Sequence, residues 1–135
     1  MQKTATCLMF AGDKAGSAEE AMRFYTSLFK DSAITSMTKY EADEPGGKKG
    51  MVKTAVFTLH GQEYRAMDSS VSHGFTFTPS ISIFVRCDSE EEIDSLYKTL
   101  SESGQALMPL GNYGFSRKFA WINDKYGVSW QMNLQ

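Results

Sequence analysis

The sequence predicts an α+β chain made of two βαβββ modules. Three observations lead there: a twelve-residue segment that occurs twice, alternating apolar runs in the same order around each copy, and glycine-rich turns between the runs. Ser17 to Leu28 aligns without gaps on Ser89 to Leu100, and five pairs are identical: Ser17/Ser89, Glu19/Glu91, Glu20/Glu92, Tyr25/Tyr97 and Leu28/Leu100.

Each copy reads as an amphipathic helix. A capping box is expected at both starts, with Ser17 and Ser89 accepting from the amide three residues on, and Glu20 and Glu92 reaching back to the cap amide. Glu19, Glu90 and Glu91 add negative charge where the helix dipole favours it. The apolar stripes are Ala21, Phe24, Tyr25, Leu28 and Ile93, Leu96, Tyr97, Leu100, spaced as one helical face. Gly104 is the expected C-terminal stop of the second helix.

Each helix follows an alternating run that ends near an aspartate, TATCLMFAGD or SISIFVRCD. Three strand-like runs follow the first helix: residues near 33–40, then 51–59, then 63–68. After the second they are 106–110, 117–122 and 128–134. Turns at 44–47, 60–61 and 125–127 separate them. The reading is one domain, 1–135, with modules at about 3–68 and 80–135 joined by a linker, 69–79.

Composition bounds the function. A chain of 135 residues buries roughly two-thirds of its unfolded surface, so no disulfide or metal is required as a staple. The formal charge of −2, from 14 basic and 16 acidic residues, offers no basic surface for nucleic acid. No apolar stretch approaches the ~18 residues of a membrane span, and the N-terminus lacks a signal-peptide pattern. Cys7 and Cys87 sit in strand runs and read as buried free thiols, so a cytoplasmic location is expected. A Ser-His-Asp set, a CxxC pair and a phosphate cradle are missing from the sequence; Gly111-Asn112-Tyr113-Gly114 reads as a turn.

A doubled βαβββ of this size resembles the vicinal-oxygen-chelate superfamily, which includes glyoxalase I, bleomycin-resistance proteins and extradiol dioxygenases. The run from Phe115 to Gln131 (FSRKFAWINDKYGVSWQ) and the segment Ile83 to Asp88 followed by Glu91-Glu92-Ile93-Asp94 are similar to its PhnB-like branch. That branch is often labelled 3-demethylubiquinone 3-methyltransferase-like. The residues give the methyltransferase label no support, because the glycine-rich strand-to-helix turn that holds S-adenosylmethionine in the common fold is absent. The resemblance implies curved sheets that enclose cavities, and a homodimer.

The resemblance also implies four metal-ligand positions, one on the first strand and one on the closing strand of each module. Here they fall on Ala5, on Ser80 or Ser82, on Gln131, and on Arg65, or Asp68 in a looser alignment. Such a cation wants imidazoles and carboxylates, so no metal and no cofactor are expected.

Strand alternation then sorts the faces. Ala5, Cys7 and Met9 should share the cavity side of the first strand, Ser82 and Phe84 that of the fifth, and Ser129, Gln131 and Asn133 that of the last. Val128, Trp130, Met132 and Leu134 should pack on the helices. The expected ligand-binding residues are Cys7, Met9, Arg65, Ser82, Phe84, Trp121, Asn123, Ser129 and Gln131, with His73 in the linker over the cavity mouth. The expected function is metal-free binding of an unidentified small organic molecule. Two alternatives stand beside it: an isomerase, lyase or dioxygenase-like enzyme using a metal set around Asp68 and Gln131 or His73 as acid/base, and a dimeric scaffold with a filled cavity.

Overall fold

The computed structural model describes residues 2–135. The chain divides into two compact units, one running to Thr76 and the other from Phe77 onward. The first holds β1 (Thr6–Phe10), a single 3-10 turn (Gly12–Lys14), α1 (Ala18–Leu28), β2 (Ala33–Lys39), β3 (Val52–Leu59) and β4 (Gln62–Asp68). The second holds β5 (Ile83–Cys87), α2 (Glu90–Ser101), β6 (Gln105–Gly111), β7 (Lys118–Asn123) and β8 (Ser129–Leu134).

Each unit is one four-stranded sheet, in the orders β1-β4-β3-β2 and β5-β8-β7-β6. The helix carries the chain from the first strand to the far edge. Two antiparallel connections walk back, and the last strand closes parallel to the first, β4 on β1 and β8 on β5. A helical crossover permits this, since parallel neighbours cannot be joined by a tight turn. The β3–β4 turn is His60-Gly61, with φ of 51° and 77°; two positive φ angles give the twist that a two-residue hairpin requires.

The core of each unit lies between its helix and one sheet face. In the first, Leu8, Phe10, Ala55, Phe57 and Ala66 meet Ala18, Ala21, Met22 and Tyr25, all buried. In the second, Val85, Cys87, Ile122, Trp130, Met132 and Leu134 are buried with Ile93, Leu96 and Leu100. The α1 stripe differs from expectation: Met22 is fully buried while Phe24 and Leu28 are half-buried. The inward face is therefore rotated toward Met22, which closes the gap beside the small Ala18 and Ala21.

The two helix starts also differ. At α2 the serine half of the box forms, Ser89 Oγ accepting from Glu92 N at 3.1 Å, while Glu92 Oε1 accepts from Asp88 N, one residue before the cap, at 2.6 Å. At α1 the serine half of the expected box does not form. Ser17 has helical φ/ψ and makes no side-chain cap bond. Asp68, at the end of β4, replaces it. Its Oδ1 accepts from Gly16 N at 2.9 Å and Ala18 N at 3.1 Å, and its Oδ2 accepts from Val52 N at 2.9 Å.

Gly104 is not the stop residue of α2. The left-handed position belongs to Ser103, with φ 60°. Gly104 is glycine because a Cβ there would lie 2.1 Å from the Asn123 carbonyl oxygen.

Candidate functional site

In each unit one sheet face carries the helix and the other is open. The pairing register places side chains of the second sheet's open face in rows. Ser82, just before β5, comes beside Ser129, which pairs with Asn123. Phe84 pairs with Gln131, Gln131 with Trp121, and Trp121 with Met108. Arg86 pairs with Asn133, and Asn133 with Phe119.

Four residues expected from the sequence are hydrogen-bonded to one another here. Trp121 Nε1 donates to Ser129 Oγ at 2.9 Å, Ser129 Oγ lies 2.6 Å from Ser82 Oγ, and Gln131 Nε2 donates to Ser82 Oγ at 3.4 Å. Ser129 is buried and the other three are half-buried. A hydroxyl carries one proton and two lone pairs. The indole is a pure donor, and either serine can donate to the other, so one serine proton and Gln131 Oε1 are left for another partner. Phe84 flanks the set with 58% of its surface exposed. Asn123 Oδ1 is buried without a hydrogen-bond partner among the described residues. The register also settles the two-residue ambiguity: Ser82 faces the closing strand, whereas Ser80 Oγ lies 2.7 Å from Thr78 Oγ1.

The first unit assembles a different open face. Cys7 pairs with Arg65 across β1–β4, and Met9 with Met67. Arg65 Nη2 donates to Thr54 Oγ1 at 2.9 Å; strand parity places both on this face of the sheet. Cys7 is exposed, correcting the expectation of two buried thiols; Cys87 is the buried one. Partial burial raises the Cys7 pKa, and the Arg65 guanidinium acts against that rise.

His73 belongs to the first unit. Its Nε2 lies 2.8 Å from Ser69 Oγ, and its ring is 5.2 Å from that of Phe75. Ser69 Oγ also accepts from Val71 N at 3.2 Å, so the pair fixes the path of the chain after β4.

The fold raises the question of a metal, and the residues do not fit one. Ala5 has no donor atom, and Ser82 and Gln131 are bonded to each other. Arg65 is a cation. Asp68 is 1% exposed and already accepts three amide hydrogens, which corrects its expected availability as a ligand. Among the described residues no three His, Cys, Asp or Glu side chains form a group that could hold a metal ion.

Two mixed four-stranded sheets, each carrying one helix, define the fold class, α+β. Within it, the chain belongs to the family described as 3-demethylubiquinone-9 3-methyltransferase, whose model matches residues 2–133. A PhnB protein from Bacillus cereus that bears the same description is 55% identical, with a TM-score of 0.92 over 99% of this chain and 100% of that one. More distant structures share the fold. A glyoxylase/bleomycin resistance protein/dioxygenase domain from Frankia is 14% identical, with a TM-score of 0.63 over 99% and 97% of the two chains. The fosfomycin resistance protein FosX from Listeria monocytogenes is 11% identical, with a TM-score of 0.63 over 100% and 93%. No curated protein matches.

Proposed function

We propose that this protein binds a small organic molecule on the open face of its second sheet and needs no metal to do so. The observation that carries the reading is the joined set Trp121–Ser129–Ser82–Gln131 beside the exposed Phe84 ring. It combines a flat apolar platform with a hydroxyl donor and an amide acceptor, a pairing typical of small-molecule sites. The side chains are held by each other, so little ordering cost remains for binding. The family's name refers to methyl transfer, but neither four-stranded unit resembles the larger nucleotide-binding sheet that such chemistry commonly uses.

A homodimer in the cytoplasm completes the reading. Ile81 and Phe115 expose 68% and 57% of their surfaces, apolar area that a second copy could cover. No helix of the described residues is long and apolar enough to cross a membrane.

The test is a fragment screen by amide-resolved NMR, with metal analysis of the same preparation. Saturable shifts at Ser82, Trp121 and Gln131, lost in Trp121→Ala, are expected. Fragments that bind only elsewhere would overturn the site. Near-stoichiometric Zn, Ni, Mn or Fe would overturn the metal-free reading and favour an enzyme.

A further inference from the structure

One row beyond Trp121 and Gln131, the same unit has a groove of about 520 Å³ lined by Arg86, Cys87, Asp88, Arg117, Leu134 and Gln135. Strand alternation explains how two guanidinium groups come to share it. Val85 and Cys87 turn inward to the core, so Arg86 between them turns outward. Lys118 lies on the helix side, 2.7 Å from Asp94 Oδ1 and 3.7 Å from Glu90 Oε1; Arg117 before it points the other way. Asp94 and Glu90 of α2 are thus taken up by Lys118, while Glu92 and Asp88 lie near Cys87. Neither Arg86 nor Arg117 makes an ion pair or side-chain hydrogen bond among the described residues, in contrast to Arg23 and Arg65. Both are exposed, and the one acidic side chain lining the groove is Asp88. The fold does not require this charge. The position matching Arg86 in the first unit, next to last on the strand beside the closing strand, is Met9.

We infer that this groove takes the oxyanion, carboxylate or phosphate, of a small molecule whose flat apolar part lies over Phe84 and Trp121. A guanidinium pair suits such a group because each presents parallel N–H donors at the spacing of two oxygens. Arg86 and Phe84 are two residues apart on one strand, so their side chains stand about 7 Å apart on the same face, the length of a fused aromatic ring system. The placement of the ring rests on the binding reading above; the anion site itself does not.

The experiment titrates the full chain at low ionic strength with three probes: inorganic phosphate, 2-naphthoate and its neutral amide, 2-naphthamide. Arginine Nε–H resonances and Trp121 are followed by NMR. Phosphate and naphthoate are expected to shift Arg86 and Arg117 saturably, leaving Arg23 unmoved. Naphthoate should bind about tenfold more tightly than naphthamide, the size of one charge-assisted hydrogen bond. Arg86→Gln and Arg117→Gln should each remove most of that preference and leave naphthamide binding unchanged. Absence of any saturable Arg86 or Arg117 shift would overturn the inference. If naphthamide binds as well as naphthoate and moves Trp121 alone, the anion site falls while the binding face stands. If naphthoate moves both arginines but not Trp121, the anion site stands and the ring platform falls.

Discussion

Asp68 Oδ1 accepts a hydrogen bond from the amide of Ala18, fifty residues earlier, at 3.1 Å. The same carboxylate holds Gly16 N and Val52 N, so one side chain ties the end of β4 to the start of α1 and the start of β3. Helix α1 thus has its cap supplied by the sheet, whereas α2 is capped locally by Ser89. Replacing Asp68 by Ala leaves three amides without acceptors at a buried position. The expected loss is about 3 kcal/mol, read by urea unfolding. Ser17→Ala, which removes no cap bond, should cost less than about 0.5 kcal/mol. A larger Ser17 effect would show that the cap is local after all.

Asp124 organises the second unit in a similar way. Its Oδ1 accepts from Tyr126 N and Val128 N, and its Oδ2 from Trp130 Nε1 at 2.9 Å. Trp130 is fully buried and Trp121 half-buried. Acrylamide should therefore quench Trp121 emission and leave Trp130 emission nearly untouched, with Trp121→Phe removing the accessible component. Trp121→Phe should cost about 1 kcal/mol, one neutral hydrogen bond.

Gly104 and Ser103 give opposite predictions one residue apart. A methyl group at Gly104 meets the Asn123 carbonyl oxygen, so Gly104→Ala should lose about 2 kcal/mol through forced movement of β7. Ser103 has φ 60°, a conformation that costs a side-chain-bearing residue about 1 kcal/mol. Part of that is offset by glycine's greater freedom when unfolded, and Ser103→Gly should gain about 0.5 kcal/mol.

The two thiols should separate by reactivity and by pH. Cys7 is exposed and Cys87 buried, so a disulfide reagent should label Cys7 first, and Arg65→Ala should slow that labelling at neutral pH. Burial, with Glu92 and Asp88 nearby, pushes the Cys87 pKa from 9.0 up to about 11. The unfolded thiol therefore loses its proton first as pH rises. The native state binds more protons across that window, so Cys87 contributes stability in full below pH 9 and loses it as pH approaches 11. Cys87→Ala should flatten the fall in stability between pH 9 and 11 relative to the wild-type chain; an identical slope would refute the assignment.

Strand parity carried most of what could be read of the second open face. A period of two fixes which side of a strand a residue takes, so Ser82, Ser129 and Gln131 could be grouped before their distances were known. Parity is silent on who bonds whom. The Ser82–Ser129 contact spans 47 residues, and neither flanking sequence encodes it. Arg86 and Arg117 lay within runs noticed for their apolar neighbours, and only the sheet order β5-β8-β7 brings their strand ends together.

Local chemistry in the chain determined the two helices, the eight strands, their repetition, and the lack of histidine at the positions the fold would use. These depend on periodicity and residue identity, which the sequence states outright. Tertiary structure decided the helix cap at Asp68, the glycine requirement at position 104, the exposure of Cys7 and the side-chain network on the second sheet. Each of those depends on groups distant in sequence meeting at hydrogen-bonding or van der Waals range, and only the pairing of strands sets that distance.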